Sequence, residues 1–302
     1  MPRVDVVVVS FNSRAKLRAC VEPLAGADGL NVVVVDNASR DDTLATIADL
    51  PISVLALEEN FGFGAGCNVG WRSASSPYVL FLNPDARMSP EAIRELAKHA
   101  EQHPRSAAFG PRLVTPSGEL DYSLRRFPRL RSTFARALFL HRLSPNASWV
   151  DEVIRDPRAY AEPHAVDWVT GACLLVRRAA LEDVGGFDER FFMYCEDKDL
   201  CARLWKAGYE VGYEPSVECG HEGGAGSEAS VGRRRALLTR SRLLYASLHS
   251  TPQVALLESL GLALEALVRL VTGPGGLRGR RDRLGELRVI AGALTSRNAD
   301  SG

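Results

Sequence analysis

The chain has 302 residues, 46% of them hydrophobic and 25% charged, with 37 basic and 37 acidic side chains. These are ordinary globular values, enough for one large α/β domain or one domain with an appendage. No apolar run reaches the eighteen or so residues that a spanning helix needs, because Val254 to Val271 is interrupted by Glu258, Glu265 and Arg269. The charge is uneven: from Arg233 onward there are twelve Arg and no Lys against five Asp or Glu, so this tail is +7 and the remainder −7. A basic tail on a neutral protein points to an anionic surface nearby.

Six cysteines (Cys20, Cys67, Cys173, Cys195, Cys201, Cys219) are scattered without a CxxC pair. Met1-Pro2-Arg3 leads straight into a strand with no signal peptide, so free thiols in a cytoplasmic protein are expected.

In chain order, Val4 to Val9 reads as a β-branched strand ending at Ser10-Phe11-Asn12-Ser13, followed by helical character over Arg14 to Leu24. Asn31 to Val35 is a second strand ending in Asp36, and Asp41 to Leu50 reads as a helix. Ile52 to Leu57 is a third, before the glycine-rich turn Asn60-Phe61-Gly62-Phe63-Gly64-Ala65-Gly66-Cys67-Asn68. Tyr78 to Leu82 is a fourth, stopped by Asn83-Pro84-Asp85, since proline cannot donate to a sheet ladder. Continuous apolar strands separated by single helices predict a mainly parallel, doubly wound α/β sheet. Asn12, Asp36, Asn60 and Asp85 would then gather at the carboxyl ends of its strands, where open α/β sheets bind ligands.

Beyond Ala107 the rhythm changes. Arg125 to Ala165 is basic and dotted with proline, and reads as a long, partly mobile excursion. Val166 to Arg177 returns to strand character, Glu196 to Ala207 is a helix capped by Gly208, and Val211 to Pro215 is a last strand leading to His221. The rest is helical and Arg-rich.

Three features carry chemistry. Asp85 sits where a carboxylate can hold a divalent cation against phosphate oxygens, although an Asx turn explains it equally well. Glu196, Asp197 and Asp199 place three carboxylates at one helix start; capping and an Asp199–Arg203 pair explain one of them well and all three poorly. One could act as a general base. His221, among glycines after a strand, could complete a mixed N/O site for Mg²⁺ or Mn²⁺ beside Asp85, although a lone histidine is more often structural. The Gly62–Gly66 run lacks GxGxxG spacing, which argues against a dinucleotide-binding dehydrogenase.

Together, Val8-Val9-Ser10-Phe11-Asn12, Val35-Asp36-Asn37-Ala38-Ser39, Asn60-Phe61-Gly62-Phe63-Gly64, Asn83-Pro84-Asp85, Gly185-Gly186-Phe187-Asp188-Glu189-Arg190-Phe191-Phe192 and Glu196-Asp197 resemble the inverting family 2 glycosyltransferases, most closely their rhamnosyltransferase branch. The resemblance covers roughly residues 3–245. It implies a GT-A fold, with a nucleotide-sugar-binding half over 1–110, an acceptor-binding half over 111–232 and a basic helical region over 233–302. It implies that Asp36 pairs with the pyrimidine base, beside Ser10 and Asn12, and that Asn60, Gly62, Asn68 and Asn83 line the nucleotide. Asn83 replaces the first residue of the family's Asp-x-Asp motif, leaving Asp85 for metal and diphosphate with His221. Asp197 matches the catalytic base, with Glu196 and Asp199 as neighbouring candidates.

The implied donor is a nucleotide sugar, dTDP-rhamnose ahead of UDP- or GDP-sugars. The acceptor is a cell-envelope glycan or polyprenyl-diphosphate-linked saccharide, or alternatively a small natural product. A non-catalytic binder is disfavoured, since a binder needs no base. Nucleic acid is not an expected partner. The C-terminal region is expected either to dimerise or to touch the inner face of the cell membrane peripherally.

Overall fold

A computed structural model describes residues 2–144, 147, 149–223, 231–272 and 283–293. Of the basic stretch Arg278 to Arg283, residues 278–282 lie outside the described residues, as does Gly224, three positions after His221. The chain divides into two compact units, one of Met1–Arg125, Asp156–Phe192 and Glu196–Ser227, the other of Arg126–Arg155, Met193–Cys195 and Glu228–Gly302.

The first unit is built on a nine-stranded sheet. Its strands are β1 (Val4–Ser10), β2 (Leu30–Asp36), β3 (Ser53–Ala56), β4 (Tyr78–Leu82), β5 (Ala86–Arg87) and β6 (Ser106–Val114), then β8 (His164–Ala165), β10 (Cys173–Arg177) and β11 (Glu210–His221). Short strands β7 (Leu124–Arg125) and β9 (Trp168–Val169) pair separately. The order is β3-β2-β1-β4-β10-β6-β11-β5, with β8 paired to β11. Strands β3, β2, β1 and β4 are mutually parallel, as the apolar runs predict. The sheet as a whole is mixed, because β10 runs antiparallel to both β4 and β6.

Every residue of β1 is buried, since both faces of the sheet are covered. Val4, Val6 and Val8 join one core with residues of α1 (Leu17–Val21) and α3 (Pro90–Gln102). Val7 and Val9 point the other way, onto α2 (Phe63–Arg72). That helix approaches so closely that a Cβ on Gly70 would lie 2.3 Å from Val7, and one on Gly66 2.7 Å from Val9. The glycines thus set the helix–sheet distance.

Three expectations need correction. Residues 41–50 hold only a 3₁₀ turn, Leu44–Ile47, because Thr43 and Asp41 are engaged across the loop: Ser13 N–H donates to Thr43 Oγ1 at 2.8 Å. The single strand expected over 166–177 is two strands, broken at Gly171. The last strand runs on to His221, with a bulge between Glu214 and Glu218.

The second unit is helical: α4 (Leu130–Ala137), α5 (Leu140–Leu143), α8 (Val231–His249), α9 (Pro252–Thr272) and a helix over 283–293. The expected excursion over 125–165 therefore contains regular helix. A small core of Leu243, Leu262, Ala266 and Ile290 is joined by buried ion pairs. Asp151 meets Arg136 at 2.9 Å and Arg155 at 2.7 Å. The first unit's remaining helices are α6 (Arg178–Val184) and α7 (Glu196–Lys206). No described helix is long and apolar enough to cross a membrane.

Candidate active site

The carboxyl edge of the parallel strands carries two carboxylates in contrasting surroundings. Asp36 ends β2 and is 4% exposed. Its Oδ1 accepts from Ser10 Oγ at 2.9 Å and Ser39 Oγ at 2.6 Å, and Oδ2 from Ser39 N–H at 2.9 Å. Ser10 is itself fully buried, so it aims Asp36 rather than reaching a ligand. Asn12 adopts φ +48°, and its side-chain oxygen accepts from Arg40 N–H, tying the loop after β1 to the loop after β2.

Beside Asp36 runs the loop entering α2. Asn37 clamps it, donating to Gly62 O at 2.9 Å and accepting from Phe61 N–H at 3.1 Å. Asn60 closes an Asx turn on Gly62 N–H. Gly62 has φ +97°, and a Cβ there would stand 2.2 Å from Phe192 O, so only glycine fits. Phe11 and Phe61 stay exposed on these two loops. Asn68 behaves otherwise than expected. It is buried, and its amide donates to Phe187 O and Glu189 while accepting from Phe187 N–H and Trp71 Nε1. All four hydrogen-bonding positions are spent on scaffold, so none faces a nucleotide.

Asp85 sits in a charged setting. It follows β4, and its backbone carbonyl accepts from Glu222 N–H. The β5–β11 register pairs Ala86 with His221, which sets the imidazole beside the carboxylate. His221 Nε2 lies 3.5 Å from Asp85 Oδ1, and its Nδ1 lies 2.9 Å from Asp121. Lys16 Nζ approaches Asp85 Oδ2 at 3.7 Å and Glu222 at 2.9 Å. Burial alone would lower the His221 pKa, but the two carboxylates outweigh it and raise it to about 9. Burial would raise that of Asp85, and His221 and Lys16 more than reverse this. Asn83, at the head of this turn, donates its N–H to Ala172 O at 2.9 Å.

The same segment positions Asp197. Gly171 N–H donates to Asp197 Oδ2 at 2.9 Å, and Lys198 N–H to Oδ1 at 2.8 Å. A Cβ on Gly171 would lie 3.3 Å from Asp197, so glycine lets the carboxylate approach this backbone closely. Burial pushes the Asp197 pKa upward against these hydrogen bonds, a suitable direction for a base. Its neighbours differ. Glu196 is buried, burial and the Asp197 charge drive its pKa well up, and its Oε2 has no hydrogen-bond partner. Asp199 is buried against Arg203, which also holds Val184 O. Of the three carboxylates, Asp197 combines partial exposure with hydrogen bonds that favour its anion.

Sequence reading missed Lys16, Asn37 and Asp121. Lys16 lies one turn beyond Asn12 with no motif to mark it, and Asp121 is a hundred positions from the histidine it orients.

The donor set suits a divalent cation in part. Asp85 and His221 offer one oxygen and one nitrogen, and Asp121 stands where a carboxylate orients a ligating histidine. Among the described residues no cluster of three or more His, Cys, Asp or Glu forms a metal cage. Two protein ligands completed by substrate phosphates is a common arrangement for Mg²⁺. Ligation would require His221 to shed its proton and Asp85 to share its charge with Lys16.

A curled mixed sheet with helices on both faces gives the chain a GT-A-type fold. Solved structures of the same fold include a mannosyltransferase from Pyrobaculum calidifontis in complex with GDP-Man and Mn²⁺ (TM-score 0.57, 17% identity, covering 100% of this chain and 88% of that one). Another is the Staphylococcus aureus protein TarS 1–349 (TM-score 0.54, 16% identity, 99% and 92%). The model of glycosyl transferase family 2 matches residues 5–185, and the chain belongs to that family. It is 35% identical over 233 residues to the N-acetylglucosaminyl-diphospho-decaprenol L-rhamnosyltransferase of Mycobacterium tuberculosis, covering 72% of this chain and 75% of that protein. It is 32% identical over 174 residues to the rhamnosyltransferase WbbL of Escherichia coli K12 (53% and 61%).

Proposed function

We propose that this glycosyltransferase moves L-rhamnose from dTDP-β-L-rhamnose to a hydroxyl of a lipid-linked saccharide, with inversion to the α-L-rhamnoside. The observation that carries the reading is the linkage of Asn83, Ala172, Gly171 and Asp197. One short backbone path ties the turn carrying Asp85 to the carboxylate best suited to be the base.

Asp36, held by hydroxyl and N–H donors, accepts the imide N–H of the pyrimidine; thymine and uracil present the same edge to it. Asn83 and the Gly62 backbone flank the nucleotide. Asp197 takes the proton of the acceptor hydroxyl, whose oxygen bonds to the anomeric carbon as the carbon–oxygen bond to diphosphate breaks. The nucleoside diphosphate leaves with the bonding pair, through an oxocarbenium-like transition state. Its developing charge meets Lys16 and the His221 imidazolium. Asp85 and a deprotonated His221 would instead hold a divalent cation, which would supply that charge neutralisation in place of the imidazolium. The relatives named above support both the sugar and the lipid-linked acceptor, and the basic C-terminal region suits peripheral contact with the membrane holding such an acceptor.

Calorimetry with a panel of nucleotide sugars, with and without Mn²⁺, tests the donor. Tightest binding of dTDP-rhamnose upholds the reading, and preference for a UDP- or GDP-sugar overturns the sugar while keeping the class. Asp197→Asn is expected to lower transfer by about 10³-fold with donor binding retained; unchanged turnover would overturn the base assignment.

A further inference from the structure

Helix α9 is built inside out. Its buried positions are Ala255, Glu258, Ser259, Gly261, Leu262, Glu265 and Ala266. Glu258 accepts from Thr133 Oγ1 at 2.6 Å, while Glu265 pairs with Arg242 at 3.7 Å and with Arg269. The opposite face presents Leu256, Leu257, Leu260, Leu267 and Val271, each between 42% and 85% exposed. At about 100° per residue these five fall within an arc of roughly 100°. A water-facing helix ordinarily shows the reverse pattern, apolar side in and charges out. A contiguous leucine stripe of this kind marks a surface that something covers.

The charges around it say what. Helix α8 carries five Arg and no acidic residue, and Arg233 and Arg240 are exposed. Both carboxylates of α9 are buried, so the outward charge of α8 and α9 is of one sign. A second copy docked on this stripe would bring the same arginines against themselves, because a two-fold interface is self-complementary. An anionic bilayer satisfies the leucines and the arginines together.

We infer that α9 lies in the plane of an anionic membrane, with Leu256, Leu260, Leu267 and Val271 among the acyl chains and Arg233 and Arg240 of α8 on the headgroups. This deepens the membrane contact of the functional reading and names the residues that make it.

The test is co-sedimentation of the full chain with vesicles of phosphatidylglycerol and phosphatidylcholine, against phosphatidylcholine alone. The chain is expected to bind the anionic vesicles, with Leu256→Ser/Leu260→Ser/Leu267→Ser lowering the bound fraction about tenfold or more. Because these side chains lie outside the core, the triple variant should keep the parent's melting temperature and its dTDP-sugar affinity. Leu260→Trp adds a direct readout, its fluorescence expected to shift blue and be quenched by brominated lipid. Failure to bind anionic vesicles, or a dimer that the triple variant converts to monomer, overturns the inference. Loss of dTDP-sugar binding by the parent chain with vesicle binding intact would overturn the enzymatic reading instead.

Discussion

Asp36 and Asp85 occupy equivalent places, each at the carboxyl end of a parallel strand, yet their surroundings divide the labour of the site. Asp36 is held by two serine hydroxyls and a backbone N–H, all neutral. Asp85 faces an ammonium and an imidazolium. Neutral donors fix direction without adding charge, which suits recognition of a flat neutral base. Cations beside a carboxylate suit a region where charge develops and leaves. One strand edge thus separates recognition from charge handling.

The strongest way to break the recognition end is through its backbone. Gly62→Ala forces a Cβ into Phe192 O at a positive φ, and we expect a loss of stability on the order of 3 kcal/mol, read by thermal or urea unfolding. The carboxylates themselves sharpen the contrast. Asp85→Asn is expected to weaken donor binding about a hundredfold and to abolish any stimulation by Mn²⁺, whereas Asp36→Asn costs about tenfold and leaves metal and salt dependence unchanged. Calorimetry at two ionic strengths distinguishes them, and equal salt responses would erase the division.

Lys16→Met probes the charge-handling end from the cation side. Metal-free binding of dTDP should fall by about tenfold, while the apparent affinity for Mn²⁺ rises because Asp85 loses its resident cation. The smallest effect lies in the helical unit, where Asp151 shows the same carboxylate–cation arrangement in a purely structural role. Burial favours its neutral form, but Arg136 and Arg155 hold its pKa at about 2. A folded pKa below the unfolded value near 3.9 means that the stabilisation is present above about pH 4 and is lost as pH falls toward 2. Its size is about 2 kcal/mol. Asp151→Asn should therefore be about 2 kcal/mol less stable at pH 7, yet its stability should fall less than the parent's between pH 4 and 2, as read by urea unfolding at a series of pH values.

The legible parts of the molecule share a physical cause. Val4 to Val9, Asn31 to Val35 and Tyr78 to Leu82 are continuous apolar runs that no other structure would bury so completely, so the strands and their parallel order were readable. Asp36 and Asp85 stood out as candidates because each is a lone carboxylate following such a run, whereas Asp197 shares a helix start with Glu196 and Asp199 and was singled out by the family resemblance. Residues 41–50 misled because Thr43 and Asp41 prefer hydrogen bonds across the loop to a helix start. Asn68 misled because a polar residue beside a glycine-rich turn resembles a ligand contact, when its amide is consumed by Phe187, Glu189 and Trp71.

The sequence by itself determined the alternation of strand and helix, the carboxylates at the strand ends and the family resemblance, because these depend on local pattern and chain order. Only the tertiary structure decided that His221 stands beside Asp85, since this follows from the β5–β11 register across more than a hundred residues. It also decided that Lys16 and Asp121 complete that cluster, and that Leu256, Leu257, Leu260 and Leu267 of α9 face outward while Glu258 and Glu265 face in. Such facts depend on which surfaces meet, and no local periodicity encodes them.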